Sequence, residues 1–162
     1  MKIGVVSDTH NNLRNVRRIV ELFNDAGVDR VVHTGDITQS KTIDVLSALN
    51  APLFGVFGNN DQGELSSLEP VVRQHGFYFV QPPLTLAWAG RRIVVVHDPQ
   101  ELSLIDETGF DVVLHGHTHR QTIEYRDARL TFNPGESAGM IEGSNTIGIL
   151  DLVAMSAEVI RF

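Results

Sequence analysis

Aspartate, asparagine and histidine recur at one kind of place in this chain, directly after short apolar runs. "KIGVVS" (2–7) leads to Asp8 and His10, "RVVHTG" (30–35) to Asp36, and "PLFGVFG" (52–58) to Asn59, Asn60 and Asp61. "RRIVVV" leads to His97, and "DVVL" (111–114) to His115, His117 and His119. Carboxylate or amide oxygen together with neutral imidazole nitrogen suits Mn²⁺, Fe²⁺, Zn²⁺ or Ni²⁺ better than Ca²⁺ or Cu⁺. In extended backbone, residues two apart point the same way. Asp8-x-His10 and His117-x-His119 can therefore face one site or grip two neighbouring metals. Gly35, Gly58 and Gly116 each stand just before a candidate ligand, where a missing Cβ lets the backbone turn and approach closely.

The elements that must position these residues follow from periodicity. The run 2–7 reads as a strand. Asn12 can cap a helix carrying Leu13, Val16, Val20 and Phe23 at helical spacing and ending at Gly27. Strands at 30–35 and 52–58 flank a helix over 40–50, with Ile43, Leu46 and Leu49 on one face. A short, Pro-interrupted helix is expected over 64–75, ending at Gly76. Residues 84–96 read as a hairpin turning at Ala89-Gly90. Asp98, Pro99 and Glu101 form a helix start with an N-cap, Pro at N1 and a capping-box acid. A strand over 111–114 follows. From residue 120 onward the pattern is all-β, with turns near Asp127, around Pro134-Gly135 and at Ser156. Alternating strands and helices favour a parallel sheet of βαβ units, and its ligand sites lie at the carboxyl ends of strands. The expected fold is α/β, with two sheets packed together and helices outside. Five strand ends in succession then present metal-competent groups on one rim.

Composition sets the bounds. The 162 residues fit one domain, 1–162, and are 42% hydrophobic and 20% charged, as in ordinary globular proteins. There is no cysteine, which excludes disulfides and thiolate-ligated zinc or iron–sulfur sites. No apolar run reaches membrane-spanning length. A strand starting at residue 2 leaves no room for a signal peptide, so a cytoplasmic location is expected. A formal charge of −7 argues against a nucleic-acid polymer as partner. Arg14, Arg17 and Arg18 read as a solvated helix face. His75 is expected to meet its helix's last carbonyls. His33 reads equally as a support for a ligand or as a core residue, and His115 as a support or an exposed residue.

The set "SDTH", "HTGD", "FGNND", a strand-end His97 and "GHTH" resembles the calcineurin-like metallophosphoesterases, specifically their small stand-alone bacterial and archaeal phosphodiesterases. The resemblance covers essentially the whole chain. It implies a four-layer αββα sandwich of two mixed sheets flanked by helices, and two divalent transition metal ions, with Mn²⁺ first and Ni²⁺, Fe²⁺, Zn²⁺ or Mg²⁺ as alternatives. It implies Asp8, His10 and His119 on one ion, Asn59, His97 and His117 on the other, and Asp36 bridging. A bridging hydroxide would attack the phosphorus of a small phosphodiester, with Asp61 supporting the site. Many relatives read Gly-Asn-His-Asp where this chain has Asn60, which donates a hydrogen bond but no proton. Relatives often have His-Gly where His97-Asp98 stands, and Asn-Pro-Gly-Ser where this chain inserts Glu136 before Ser137. A non-catalytic interaction scaffold on the same fold, like a retromer subunit, is the alternative, and a homo-oligomer is compatible with either. Seven competent ligand positions favour the enzyme.

Overall fold

The computed structural model describes residues 1–106, 108–141 and 143–162. The first sheet is built from β1 (Lys2–Val6), β2 (Arg30–His33), β3 (Leu53–Val56), β4 (Tyr78–Val80), β10 (Thr146–Asp151) and β11 (Ser156–Arg161), in spatial order β11-β10-β1-β2-β3-β4. The second is built from β5 (Leu84–Trp88), β6 (Arg91–Val95), β7 (Val112–Leu114), β8 (Thr122–Arg126) and β9 (Arg129–Asn133), in order β5-β6-β7-β9-β8. Both are mixed: β1 to β4 run parallel, as do β6, β7 and β9, while β1–β10 and the hairpins are antiparallel.

Side-chain alternation sorts the strands between two interiors. Ile3 and Val5 of β1 pack between the sheets with Val32, Ile93, Val95, Leu114 and Phe132. Val6 points the other way, to the helices. Gly4 lies under the Phe23 ring, and a Cβ there would come within 2.6 Å of it. The helical layer holds α1 (Leu13–Ala26), α2 (Ser40–Leu46) and α3 (Leu65–Gln74). α1 buries Val16, Ile19, Val20 and Phe23. Asn12 Oδ1 accepts the Asn15 N–H at 3.2 Å, and Gly27 closes the helix in the left-handed conformation. The fourth layer is thin. A 3₁₀ segment, Pro99–Leu104, covers Val94, Val96 and Val113 with Leu102, Ile105 and Phe110. Asp98 and Glu101 form the expected capping box, but the turn is 3₁₀ rather than α. No helix among the described residues is long and apolar enough to cross a membrane.

Several boundaries depart from the periodicity. α2 ends at Leu46, not near residue 50: Ser47 and Ala48 donate to carbonyls three residues back, tightening the last turn, and Asn50 N–H goes to Asn24 Oδ1. α3 is not interrupted by Pro70, which lies inside it; burial of Leu68 and Val72 against the first sheet offsets the missing backbone bond. β4 is a three-residue edge strand that no alternation announces. The last turn spans residues 152–155, and Ser156 opens β11. The register aligns what matters. Val6 pairs with His33 and His33 with Gly55, while Val95 pairs with Leu114 and Leu114 with Phe132. The carboxyl ends of the parallel strands are thus level within each sheet.

Candidate metal centre

Side chains following β1, β2, β3, β6 and β7 meet at this rim. Asp8, His10 and His119 form one group and Asp8, Asp36 and His97 another, each with ligand-type atoms within 4.8 Å of one another. Asp8 belongs to both groups, and Asp36 reaches a histidine of each: its Oδ2 is 3.5 Å from His10 Nε2, and its Oδ1 is 3.4 Å from His97 Nε2. Asp8 Oδ1 is 3.3 Å from His119 Nε2. Asn59 Oδ1 stands 2.9 Å from His97 Nε2 and 3.1 Å from His117 Nδ1. The expected ligand positions are therefore brought together, with His117 and His119 directed to different halves.

The reason expected for the two dyads is not the one observed. Asp8, His10, His117 and His119 are not extended; their φ angles are 51°, 39°, 64° and 56°. Asp36 has φ 60°. Each left-handed non-glycine residue costs roughly 1 kcal/mol or more, so the surrounding bonds must hold these loops. The glycines act mainly by close approach. A Cβ on Gly116 would strike Ser7 Oγ and come within 2.8 Å of Asp8 Oδ2, and one on Gly58 would strike Asp36.

Asp61 is the main brace. It is fully buried, and its oxygens accept N–H bonds from Gly58 (2.7 Å), Asp36 (3.0 Å), Ile37 (2.8 Å) and Thr38 (2.7 Å). One carboxylate thus ties the loop after β2 to the loop after β3. Burial raises its pKa, opposed by these donors. Asn60, beside it, donates from its side chain to Asp36 Oδ2 at 2.7 Å and from its backbone to Oδ1 at 3.0 Å. His97 Nδ1 donates to Thr34 C=O at 2.8 Å, which aims Nε2 at the cluster.

Three supports gave no motif signal. Thr34 Oγ1 donates to Ser7 Oγ at 2.6 Å, and Ser7 Oγ donates to Asp8 Oδ2. Asn133 Nδ2 donates to Gly116 C=O at 3.0 Å and contacts His115 Nδ1 at 3.3 Å. The β7–β9 register, which sets Asn133 beside His115, is the clue to that last role. His115 is buried, not exposed. His75 Nε2 meets Asp44 Oδ1 at 2.8 Å instead of helix carbonyls. Asp98 caps its 3₁₀ segment through Gln100 N–H, and its Oδ2 lies 3.6 Å from His117 Nε2. Buried Glu136 accepts the N–H groups of Ala138, Gly139 and Ile141, and Ser137 Oγ donates to Thr146 C=O, so that hydroxyl is committed to the fold.

The electrostatics fit a cation. Burial pushes Asp36 up, but the His97 contact and charge and the Asn60 bonds more than offset it, leaving the carboxyl well below its usual range. Asp8 is held low likewise, by His119 and Ser7 against its burial. His97 is lowered by burial yet raised further by Asp36, to about 9, and His119 is raised by Asp8. Asp8 Oδ1 and His10 Nε2 are buried with no hydrogen-bond partner among the described residues. Two charged carboxylates, unsatisfied ligand atoms and nitrogen–oxygen donors make a set that a divalent ion would satisfy.

His33 behaves oppositely. It is wholly buried, its Nδ1 accepts the Gly35 N–H at 3.1 Å, and its Nε2 lies 3.2 Å from Thr9 Oγ1. Burial lowers its pKa to about 4. The unfolded chain then binds this proton first, so the His33 contribution to stability is intact above about pH 6.5 and falls as the pH drops toward 4. We expect wild type to lose about 2 kcal/mol more than His33→Asn between pH 7.5 and pH 5, in urea unfolding with chelator present. Equal losses would show that His33 is not held neutral.

Comparison with known proteins bears on this centre. The calcineurin-like phosphoesterase superfamily domain model matches residues 1–155. Phosphodiesterase MJ0936 of Methanocaldococcus jannaschii is 36% identical over 155 residues, covering 93% of each chain. Phosphodiesterase YfcE of Escherichia coli K12 is 27% identical over 175 residues, covering 93% of this chain and 88% of its own. A solved structure of an archaeal phosphodiesterase superposes with a TM-score of 0.91 at 34% identity, covering 100% of both chains.

Proposed function

Because the chain belongs to the calcineurin-like phosphoesterase superfamily, we propose that it hydrolyses a small phosphodiester with two divalent metal ions, residues 1–162 forming one catalytic domain. The carrying observation is the placement of one carboxylate, Asp36, between His10 and His97. Asp8, His10 and His119 would hold one ion, Asn59, His97 and His117 the other, and Asp36 both. When bound, such a pair supplies an activated bridging hydroxide and neutralises phosphoryl charge. The chain's own residues do the rest. His97 is oriented by Thr34, and Asp36 is fixed by Asp61 and Asn60. Asn60 is exposed at the rim and able to donate to a phosphoryl oxygen, but it has no proton to give a leaving group. This supports diesters with good leaving groups over monoester dianions. The convergence of all seven ligand positions favours the enzyme over a scaffold on the same fold.

The test starts from metal-free protein reconstituted with Mn²⁺, Ni²⁺, Zn²⁺ or Mg²⁺, assayed on paired p-nitrophenyl mono- and diesters. Diester kcat/KM is expected to exceed that for the monoester, most strongly with Mn²⁺. Asn60→His is expected to raise monoesterase activity, since a well-placed general acid is worth roughly 10²–10⁴-fold. A wild-type monoester kcat/KM above that of the matched diester would overturn the assignment.

A further inference from the structure

A pocket of about 280 Å³ adjoins the centre through His119, which lines it. Arg120, Gln121, Ile141, Ser144 and Arg161 are among its other lining residues. This is near the lower end of small-ligand sites, and large enough for one arm of a substrate whose phosphorus lies at the cluster. Its chemistry differs from that of the rim. The rim is carboxylate and imidazole, whereas the pocket presents two guanidinium groups. Arg120 and Arg161 are exposed, and among the described residues neither has an ion-pair partner in this acidic chain. Arg161 lies opposite Thr146, another lining residue, across the β10–β11 pair.

The pocket wall is built, not incidental. Glu136, 1% exposed, accepts three backbone N–H groups from the segment that ends at Ile141. Ile141 is 60% exposed beside the arginines and packs in no core cluster. An apolar wall next to two bidentate cationic donors fits a sugar or base carrying a phosphate. Another arginine-lined groove, on α1, shares no residue with the centre, and Arg18 there is paired with Glu21 at 2.8 Å.

Resting on the phosphodiesterase reading, we propose that the preferred substrate carries a second phosphoryl group on the arm that enters this pocket, where Arg120 and Arg161 bind it. The bland alternative for Arg161 is protection of an edge strand from mispairing, which predicts no ligand dependence.

Two measurements test this. Calorimetry with Mn²⁺-loaded protein would compare thymidine 3′,5′-bisphosphate with thymidine 5′-phosphate. Wild type should bind the bisphosphate roughly tenfold more tightly, an advantage that Arg120→Gln plus Arg161→Gln reduces to less than about twofold and that weakens with added salt. Equal binding by wild type, or an advantage that survives both substitutions, would overturn the proposal. Kinetics would use the p-nitrophenyl ester of thymidine 5′-phosphate with and without a 3′-phosphate. The double variant should lose the 3′-phosphate preference through KM and keep its rate on the 3′-hydroxyl substrate. No hydrolysis of either ester would instead sink the phosphodiesterase reading, while the calorimetry still decides the role of the arginines.

Discussion

Asp36→Asn is expected to lower kcat/KM by roughly 10³-fold or more, about 4 kcal/mol of transition-state stabilisation, and to weaken binding of both ions. One carboxylate faces both halves of the cluster, 3.5 Å from His10 Nε2 and 3.4 Å from His97 Nε2. Asparagine keeps the shape and the left-handed backbone, which Asn tolerates well. It removes the charge and turns an amide NH₂ toward one of the two imidazoles. The substitution thus isolates charge and donor chemistry from fold. Steady-state kinetics with equilibrium dialysis against Mn²⁺ would check it. Near-wild-type turnover with two ions per chain would refute Asp36 as the shared ligand.

Asp61→Ala is expected to cost about 3–5 kcal/mol of stability, the range for removing one partner from a buried charged network. It leaves four N–H groups, three of them buried, without their acceptor. The gentler Asp61→Asn is informative even if the alanine variant does not fold. Its oxygen can still serve Ile37 and Thr38, but its NH₂ then meets the Gly58 and Asp36 N–H groups, donor against donor. Because Asp61 touches no imidazole of the cluster, its effect on metal must pass through the Asp36 and Asn59 loops. We expect Mn²⁺ affinity to fall roughly 10–100-fold, as for other residues that orient ligands. Urea unfolding with chelator and Mn²⁺ titration separate the two effects. Wild-type values in both measurements for Asp61→Asn would remove Asp61 from the site's support.

The candidate ligand positions were legible because each follows a short apolar run, and such runs end where a parallel sheet offers its carboxyl edge. α1 was legible from Asn12 to Gly27 because cap, period and stop agree. The backbone that aims the ligands was not. Asp8-x-His10 and His117-x-His119 converge through left-handed turns, which depend on Gly116 fitting against Ser7 and on Asn133 reaching the Gly116 carbonyl from another strand. Those contacts join residues 109 and 17 positions apart, beyond any local pattern. β4 was hidden for a related reason: a three-residue edge strand is too short to show a period. His115 and His33 were ambiguous because a histidine type alone does not reveal whether its ring meets solvent or a backbone N–H.

The position of β1 also governs when this molecule can exist during its synthesis. β1 is made early, yet it lies inside its sheet, between β2 and β10. One of its edges stays unpaired until residues 146–151 emerge from the ribosome. The rim needs β1 to carry Asp8 and His10, and β7 to deliver His117 and His119 more than a hundred residues later. Such long loop closures are slow and leave strand edges open meanwhile. A nascent chain shorter than 119 residues therefore carries only part of the candidate cluster. The sheet around the candidate metal cluster closes only once residues 146–151 are made, and β10 acts as the closing stave.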